Sequence, residues 1–212
     1  MKMAEERTYE VMRDLKGYLT QEQIKSIYNA AESVRDKALI RLLWKSGRRI
    51  GEILAVQIKD IDFVSPAIVW HIEKKTKREH GKRVKLDLRK RKPLDNFTFR
   101  LLRYYVQEEE LKYEHYLFSS QGDNSKHLSR QRAFQIVRRL GELAGIDKVG
   151  EKGLHPHHFR HSFAVDVARK LKSPADMEKL RRWMEHGNLG ITQTYLQFGD
   201  DELNEVISED TD

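Results

Sequence analysis

Cysteine is missing altogether from this 212-residue chain, and proline is confined to four positions. Without cysteine there is no disulfide frame, no thiolate nucleophile and no Cys-ligated metal, which fits a cytoplasmic protein. Long apolar runs are lacking as well: no stretch approaches the roughly 18–20 residues that a membrane span needs. The opening residues, Met1 to Arg7, lead into no apolar region of the secretory-signal kind. Internal repeats and low-complexity tracts are also missing. Charge, by contrast, is plentiful: 40 Lys and Arg stand against 33 Asp and Glu, formally +7. An excess of positive charge in a chain with no membrane segment points to nucleic acid as partner. The length suits one large domain or two small ones and is enough to bury a core.

That charge is unevenly spread. Residues 71–92 hold eleven Lys and Arg against three acids, whereas residues 199–212 hold seven acids and no base. Along the chain, Thr20 with Gln23 forms a capping-box pattern and predicts a helix whose apolar face carries Ile24, Ile27 and Tyr28. Ala38, Leu39, Leu42 and Leu43 predict a second helix that stops near Ser46-Gly47. Residues 48–54 open a third, short one. From Ile58 the period changes. Residues 61–63 and 68–72 read as strands split by Ser65-Pro66, and the alternation of Val84, Leu86 and Leu88 predicts a third. A basic hairpin tip, 73–83, lies between the last two. Asp95 caps a helix through Phe99, Leu102 and Tyr105, residues 116–118 are extended, and 121–126 form a loop. Ser129 caps a basic helix that closes at Gly145, and two more helices span 156–170 and 174–185. The fold class expected is α+β, mainly α: a helical domain with a small antiparallel three-stranded sheet.

Several residues carry chemistry. Arg49 starts a helix with Glu52 one turn on; a guanidinium fork matches two phosphate oxygens, and a carboxylate at i+3 can hold it. Alone, such a pair is more often a surface ion pair. His157 and Arg160 lie one turn apart and can face one ligand. His186 follows after a helix-length interval, and Tyr195 nine residues later. Lys75 sits in the hairpin tip, where a solvated charge run would look the same. His155, His157, His158 and His161 invite a metal-binding alternative, although no carboxylate lies in that run. A phenol, proton carriers and cations together point to chemistry on an anion, with a phosphodiester as the obvious case.

The phrases Ser46-Gly47-Arg48-Arg49-Ile50-Gly51-Glu52-Ile53-Leu54 and Pro156-His157-His158-Phe159-Arg160-His161-Ser162-Phe163-Ala164, followed by His186 and Tyr195, resemble the tyrosine recombinases of the phage-integrase and Xer type. The lead-in Tyr18-Leu19-Thr20 and the phrase Ile58-Lys59-Asp60-Ile61-Asp62 match too, so the resemblance covers residues 18–198. It implies the family's catalytic domain over 20–198, an N-terminal arm or linker remnant at 1–19, and an acidic tail at 199–212. It further implies DNA cleavage and rejoining through a covalent 3′-phosphotyrosyl link, with no cofactor and no metal. Tyr195 would be the nucleophile, Arg49 and Arg160 would bind the non-bridging oxygens, and His186 would add a hydrogen bond to them. His157 would handle the tyrosine proton, a hairpin lysine would protonate the departing 5′-oxygen, and Glu52 would support.

The chemistry is coherent. A phenol of pKa near 10 is a poor nucleophile unless a base or cations assist it. Phosphate held on tyrosine conserves the bond energy, so rejoining needs no nucleotide. Two departures from the family pattern stand out. Arg48 occupies a position that is usually apolar, and spacing to Glu52 selects Arg49 as the phosphate ligand. Lys74, Lys75 and Lys77 are all available in the hairpin, and Lys75 before Thr76 lies closest to the family pattern. A core-binding domain, common in the family, is not represented ahead of residue 20; an excised catalytic fragment and a minimal recombinase fit equally.

The partner implied is double-stranded DNA, contacted by Lys74, Lys77, Arg78, Lys82 and Arg83 of the hairpin and by Arg130 and Arg132 of the basic helix. A mobile genetic element suits such an enzyme. Assembly would be a homotetramer on DNA and a monomer in solution, with Leu203, Val206 and Ile207 of the tail docking on a neighbour or the tail a frayed acidic end. The rival readings are a silent DNA-binding module of recombinase descent and a His-ligated metal hydrolase.

Overall fold

The computed structural model describes residues 17–72, 76–79, 82–85, 88–171 and 174–184, with backbone alone for 76–79, 82–85, 174, 175, 177 and 181. Most of the N-terminal arm and the whole acidic tail therefore lie outside the described residues.

Three helices open the fold. Thr20 Oγ1 accepts from the Gln23 amide and Gln23 Oε1 from the Thr20 amide, starting α1 (Gln21–Asn29), whose Ile24 and Ile27 point inward. Ser33 caps α2 (Val34–Ser46), which buries Ala38, Leu39, Leu42 and Leu43 and stops at Gly47, φ +62°. Next comes α3 (Ile50–Leu54), with Ile53 and Leu54 in the same core as Trp70, Tyr105, Phe118 and Phe159.

The sheet follows. β1 (Ile61–Asp62) turns into β2 (Ala67–Ile72) around Asp62, whose carboxylate accepts from the amides of Val64 and Ser65 and from Arg91. The Ser65 amide first, then Arg91 and the Val64 amide, hold that carboxyl down at about 2. β3 (Thr76–Glu79) and β4 (Lys82–Lys85) pair with each other as a separate hairpin. The antiparallel partner of β2 is β5 (Leu88–Pro93), in register from Ala67↔Pro93 to Ile72↔Leu88, so the sheet order is β1-β2-β5. The third strand thus lies later than the Val84–Leu86–Leu88 alternation predicts, because Val84 belongs to the hairpin. Apolar alternation could not find β5: its inward positions are Leu88, Lys90 and Lys92, half-buried, and two of the three cover the sheet with lysine stems.

Asp95 caps α4 (Asn96–Glu108) through the Thr98 amide at 2.9 Å and also accepts from Arg41 at 2.9 Å, tying α4 to α2. The loop expected at 121–126 is instead a second ribbon, β6 (Ser119–Ser120) with β7 (Asp123–His127). Its strands are polar and lie at the surface, so no hydrophobic period marks them. Ser129 then caps α5 (Arg130–Leu143), and β8 (Lys148–Val149) with β9 (Lys152–Gly153) leads into α6 (Pro156–Ala168). A smaller cluster of Ala164, Val165, Ala168, Leu180 and Met184 packs α6 against α7 (Pro174–Met184). The chain's lead-in is stitched to α6 as well. The Leu19 amide donates to Ser162 Oγ, Arg169 to the Tyr18 hydroxyl, and Gln21 to Asp166, each at 2.7 Å. Among the described residues no helix is long and apolar enough to cross a membrane.

Candidate active site

The site begins at the turn that ends α2. Gly47 takes the left-handed conformation, and the two arginines after it diverge. Arg48 goes inward: its side chain is 1% exposed, Nη1 lies 3.9 Å from Glu52 Oε2, and Nη2 donates to the Trp183 carbonyl. Arg49 stays at the surface, 27% exposed, immediately before α3. Its Nη1 donates to Glu52 Oε1 at 3.1 Å and its own amide to Glu52 Oε2 at 3.2 Å. Glu52 is fully buried, so a fixed carboxylate orients the guanidinium that faces solvent.

The start of α6 brings the second group. Pro156 occupies the first helical position, where its missing N–H costs nothing. His155 Nδ1 accepts from the His157 amide, and His158 Nδ1 accepts from the His155 amide, both at 3.3 Å. The His155 and His158 rings stack at 3.8 Å, and His155 also stacks on Phe134 at 6.2 Å. Two of the four histidines therefore build the helix cap. His157 stands exposed in the first turn, its ring 4.7 Å from that of His161. Among the described residues no group of three or more His, Asp and Glu side chains gathers to hold a metal ion.

One turn after His157, Arg160 runs inward beneath the Gly47 turn and is 3% exposed. Its Nη1 donates to the Gly47 carbonyl and its Nη2 to the Met184 carbonyl, each at 2.5 Å. Arg160 is thereby bound to the same turn that carries Arg49. The end of α7 closes over this assembly: Trp183 Nε1 donates to the Ser46 carbonyl at 3.0 Å, Phe163 stacks on the indole, and Lys92 of β5 lies 4.5 Å above it.

Arg49, Glu52 and Arg160 are thus brought together, with His157 on the adjoining turn. Lys74, Lys75, His186 and Tyr195 lie outside the described residues. So do the side chains of Lys77, Arg78, Lys82 and Arg83, whose backbones form β3 and β4. Arg130 and Arg132 are exposed in the first turn of α5, where Arg132 reaches Gln135 at 3.2 Å. Sequence reasoning missed two residues that shape the site. Ser162 is buried and accepts the Leu19 amide while donating to the His158 carbonyl at 2.8 Å. Trp183 had only its place near a helix end to mark it.

Residues 17–202 match the family model described as Phage integrase family. The chain is 26% identical over 198 residues to the tyrosine recombinase XerA of Pyrococcus horikoshii, covering 93% of this chain and 62% of that protein. It is 28% identical over 181 residues to the tyrosine recombinase XerD of Bifidobacterium longum, covering 82% and 53%. It thus spans less than two thirds of the length of either relative. The fold is similar to the crystal structure of XerA recombinase, with a TM-score of 0.69 at 23% identity over 92% of this chain and 65% of that one. It is equally similar to XerH site-specific recombinase bound to palindromic difH substrate in a post-cleavage complex, with a TM-score of 0.70 at 23% identity over 92% and 53%.

Proposed function

This chain belongs to the phage integrase family, and from that premise we propose that it is a site-specific DNA recombinase that cleaves and rejoins strands through Tyr195. The observation that carries the proposal is the Gly47 turn, which bears Arg49 and is bonded by Arg160 of α6. Arg49 is oriented by buried Glu52, and Arg160 is held by the Gly47 and Met184 carbonyls. Arg49, fixed at the surface by Glu52 before DNA arrives, suits the charge that develops on a phosphorane, where such a donor contributes about 2.7–4 kcal/mol, and Arg160 braces its turn from beneath.

In the step proposed, the Tyr195 oxygen attacks the scissile phosphorus and the P–O5′ bond breaks, leaving a 3′-phosphotyrosyl link. The phenol proton passes to His157, and the 5′-oxygen takes a proton from Lys75. Rejoining runs the same steps backwards with an incoming 5′-hydroxyl, so strand exchange needs no external energy source. His186 adds a hydrogen bond to a non-bridging oxygen. The basic ribbon of β3 and β4, with Arg130 and Arg132, contacts DNA phosphates, and four copies assemble on two duplexes. Such an enzyme works in the cytoplasm on double-stranded DNA and suits a mobile element. The XerH complex, a recombinase described with its difH substrate after cleavage, supports this reading by shared fold.

The test is incubation with a nicked duplex library, followed by sequencing of strands covalently attached to protein. Adducts are expected from the wild-type chain and none from Tyr195→Phe, which still binds DNA. Adducts that persist in the variant would sink the nucleophile assignment. DNA binding without adducts from either protein would favour the silent binding module.

A further inference from the structure

Arg48, the neighbour of Arg49 in sequence, carries its charge into the protein, where its side chain is 1% exposed. A guanidinium removed from water is costly unless opposite charge and hydrogen bonds replace the lost hydration. Here three elements face it. Glu52 of α3 lies 3.9 Å away, the Trp183 carbonyl in the last turn of α7 accepts from Nη2, and the Trp70 ring of β2 is 6.0 Å from the guanidinium carbon. The last carbonyls of a helix lack intrahelical donors and carry the negative end of its dipole, so a cation complements them. Arg160 does the same one residue later, at Met184. Two guanidinium groups from different elements therefore grip the end of α7. Its Trp183 indole returns a bond to Ser46, beside the turn that bears both Arg48 and Arg49.

Glu52 links this clamp to the chemistry. Its carboxylate faces Arg48 while accepting from the Arg49 side chain and amide. Without Arg48, Arg49 would be the one cationic partner left to Glu52 among the described residues, and Glu52 would draw that guanidinium away from a phosphate. We infer that Arg48 is a positioning residue: it locks the last turn of α7 onto the Arg49 turn and, through the shared Glu52, sets the orientation of Arg49. The inference deepens the recombinase proposal and rests on it. Being buried, Arg48 acts through its neighbours and not on DNA.

The experiment compares Arg48→Leu, Arg49→Ala and the double variant of the 212-residue chain in single-turnover cleavage of a nicked suicide duplex. DNA affinity is measured separately, and amide exchange is followed over residues 178–184. Arg48→Leu is expected to slow cleavage about tenfold or more with affinity within about twofold. It should remove little further in the Arg49→Ala background, since residues that act as one unit are not additive. Arg48→Lys keeps the charge but only one point of attachment, and should fall between wild type and Arg48→Leu. Exchange at the end of α7 should quicken in Arg48→Leu. Wild-type cleavage by Arg48→Leu, or a penalty that multiplies in full on Arg49→Ala, would overturn the inference. If the wild-type chain forms no adduct, the recombinase proposal fails on its own; unchanged α7 exchange in Arg48→Leu then separately refutes the clamp. Should Arg48→Leu not fold, Arg48→Lys carries the same comparisons.

Discussion

Replacing Gly47 by alanine adds one methyl group at the point where three parts of the site meet. Two costs are separable. The first is conformational: at φ +62° an L-residue with a Cβ is disfavoured by roughly 1–2 kcal/mol. The second is steric. The new Cβ would lie 2.4 Å from Phe163 Cδ1, 2.7 Å from Cε1 and 3.0 Å from Met184 Sδ. Carbon atoms pack at about 3.5–4.0 Å, so the Phe163 ring must move by about an ångström. Phe163 is stacked on Trp183, so that movement is resisted and should cost about 1–3 kcal/mol, as overpacking usually does. The total expected for Gly47→Ala is about 2–5 kcal/mol. The assay is denaturant unfolding with internal references: Gly122 and Gly145 also have positive φ, 78° and 72°, but nothing lies within 4 Å of a Cβ at either. Alanine there reports the conformational cost alone. If Gly47→Ala loses no more stability than Gly122→Ala, the close approach of Phe163 is not real and the steric argument fails. Cleavage should also drop, because the Gly47 carbonyl that orients Arg160 moves with the backbone.

Further outcomes are expected elsewhere. Ser162→Ala leaves the buried Leu19 amide without its acceptor and should cost about 1–3 kcal/mol in the same unfolding assay. At Asp95, burial works to raise the carboxyl pKa, but the Thr98 hydroxyl and amide and then Arg41 prevail and bring it below the ordinary value. A depressed pKa means that this stabilisation is present above the unfolded value of about 3.9 and is lost as pH falls through the folded one. Asp95→Ala should therefore destabilise by about 1–2 kcal/mol at neutral pH, with the difference narrowing in strong acid. Removing Arg130 and Arg132 together should flatten the dependence of log K on log salt for duplex binding by about 1.8. An unchanged slope would take both residues off the DNA.

Features decided by neighbouring residues were legible in the sequence. The caps at Thr20, Asp95 and Ser129, the stop at Gly47 and the contact of Arg49 with Glu52 all span a few positions, so spacing alone reveals them. Contacts that join distant segments were not legible. Arg160 reaches Gly47 across 113 positions, Arg48 reaches Trp183 across 135, and Leu19 reaches Ser162 across 143. Each depends on how helices pack, which no local pattern encodes. Arg48 illustrates the difference: beside Arg49 in sequence it looks like a second surface cation, and only the packing of α7 over the turn buries it. β5 and the β6–β7 ribbon escaped for another reason. Their strands are rich in lysine, arginine and small polar residues, and backbone pairing holds them together without an apolar face.

The stitching of Tyr18, Leu19 and Gln21 to α6 gives the molecule a load path. Tension applied to the chain ahead of Tyr18 does not dissipate in α1. It runs through the Leu19–Ser162 bond and the Tyr18–Arg169 contact into the helix that presents His157 and Arg160. Whatever pulls on Tyr18 and Leu19 therefore has a mechanical handle on the helix that carries His157 and Arg160, roughly as a bell-rope has on a clapper.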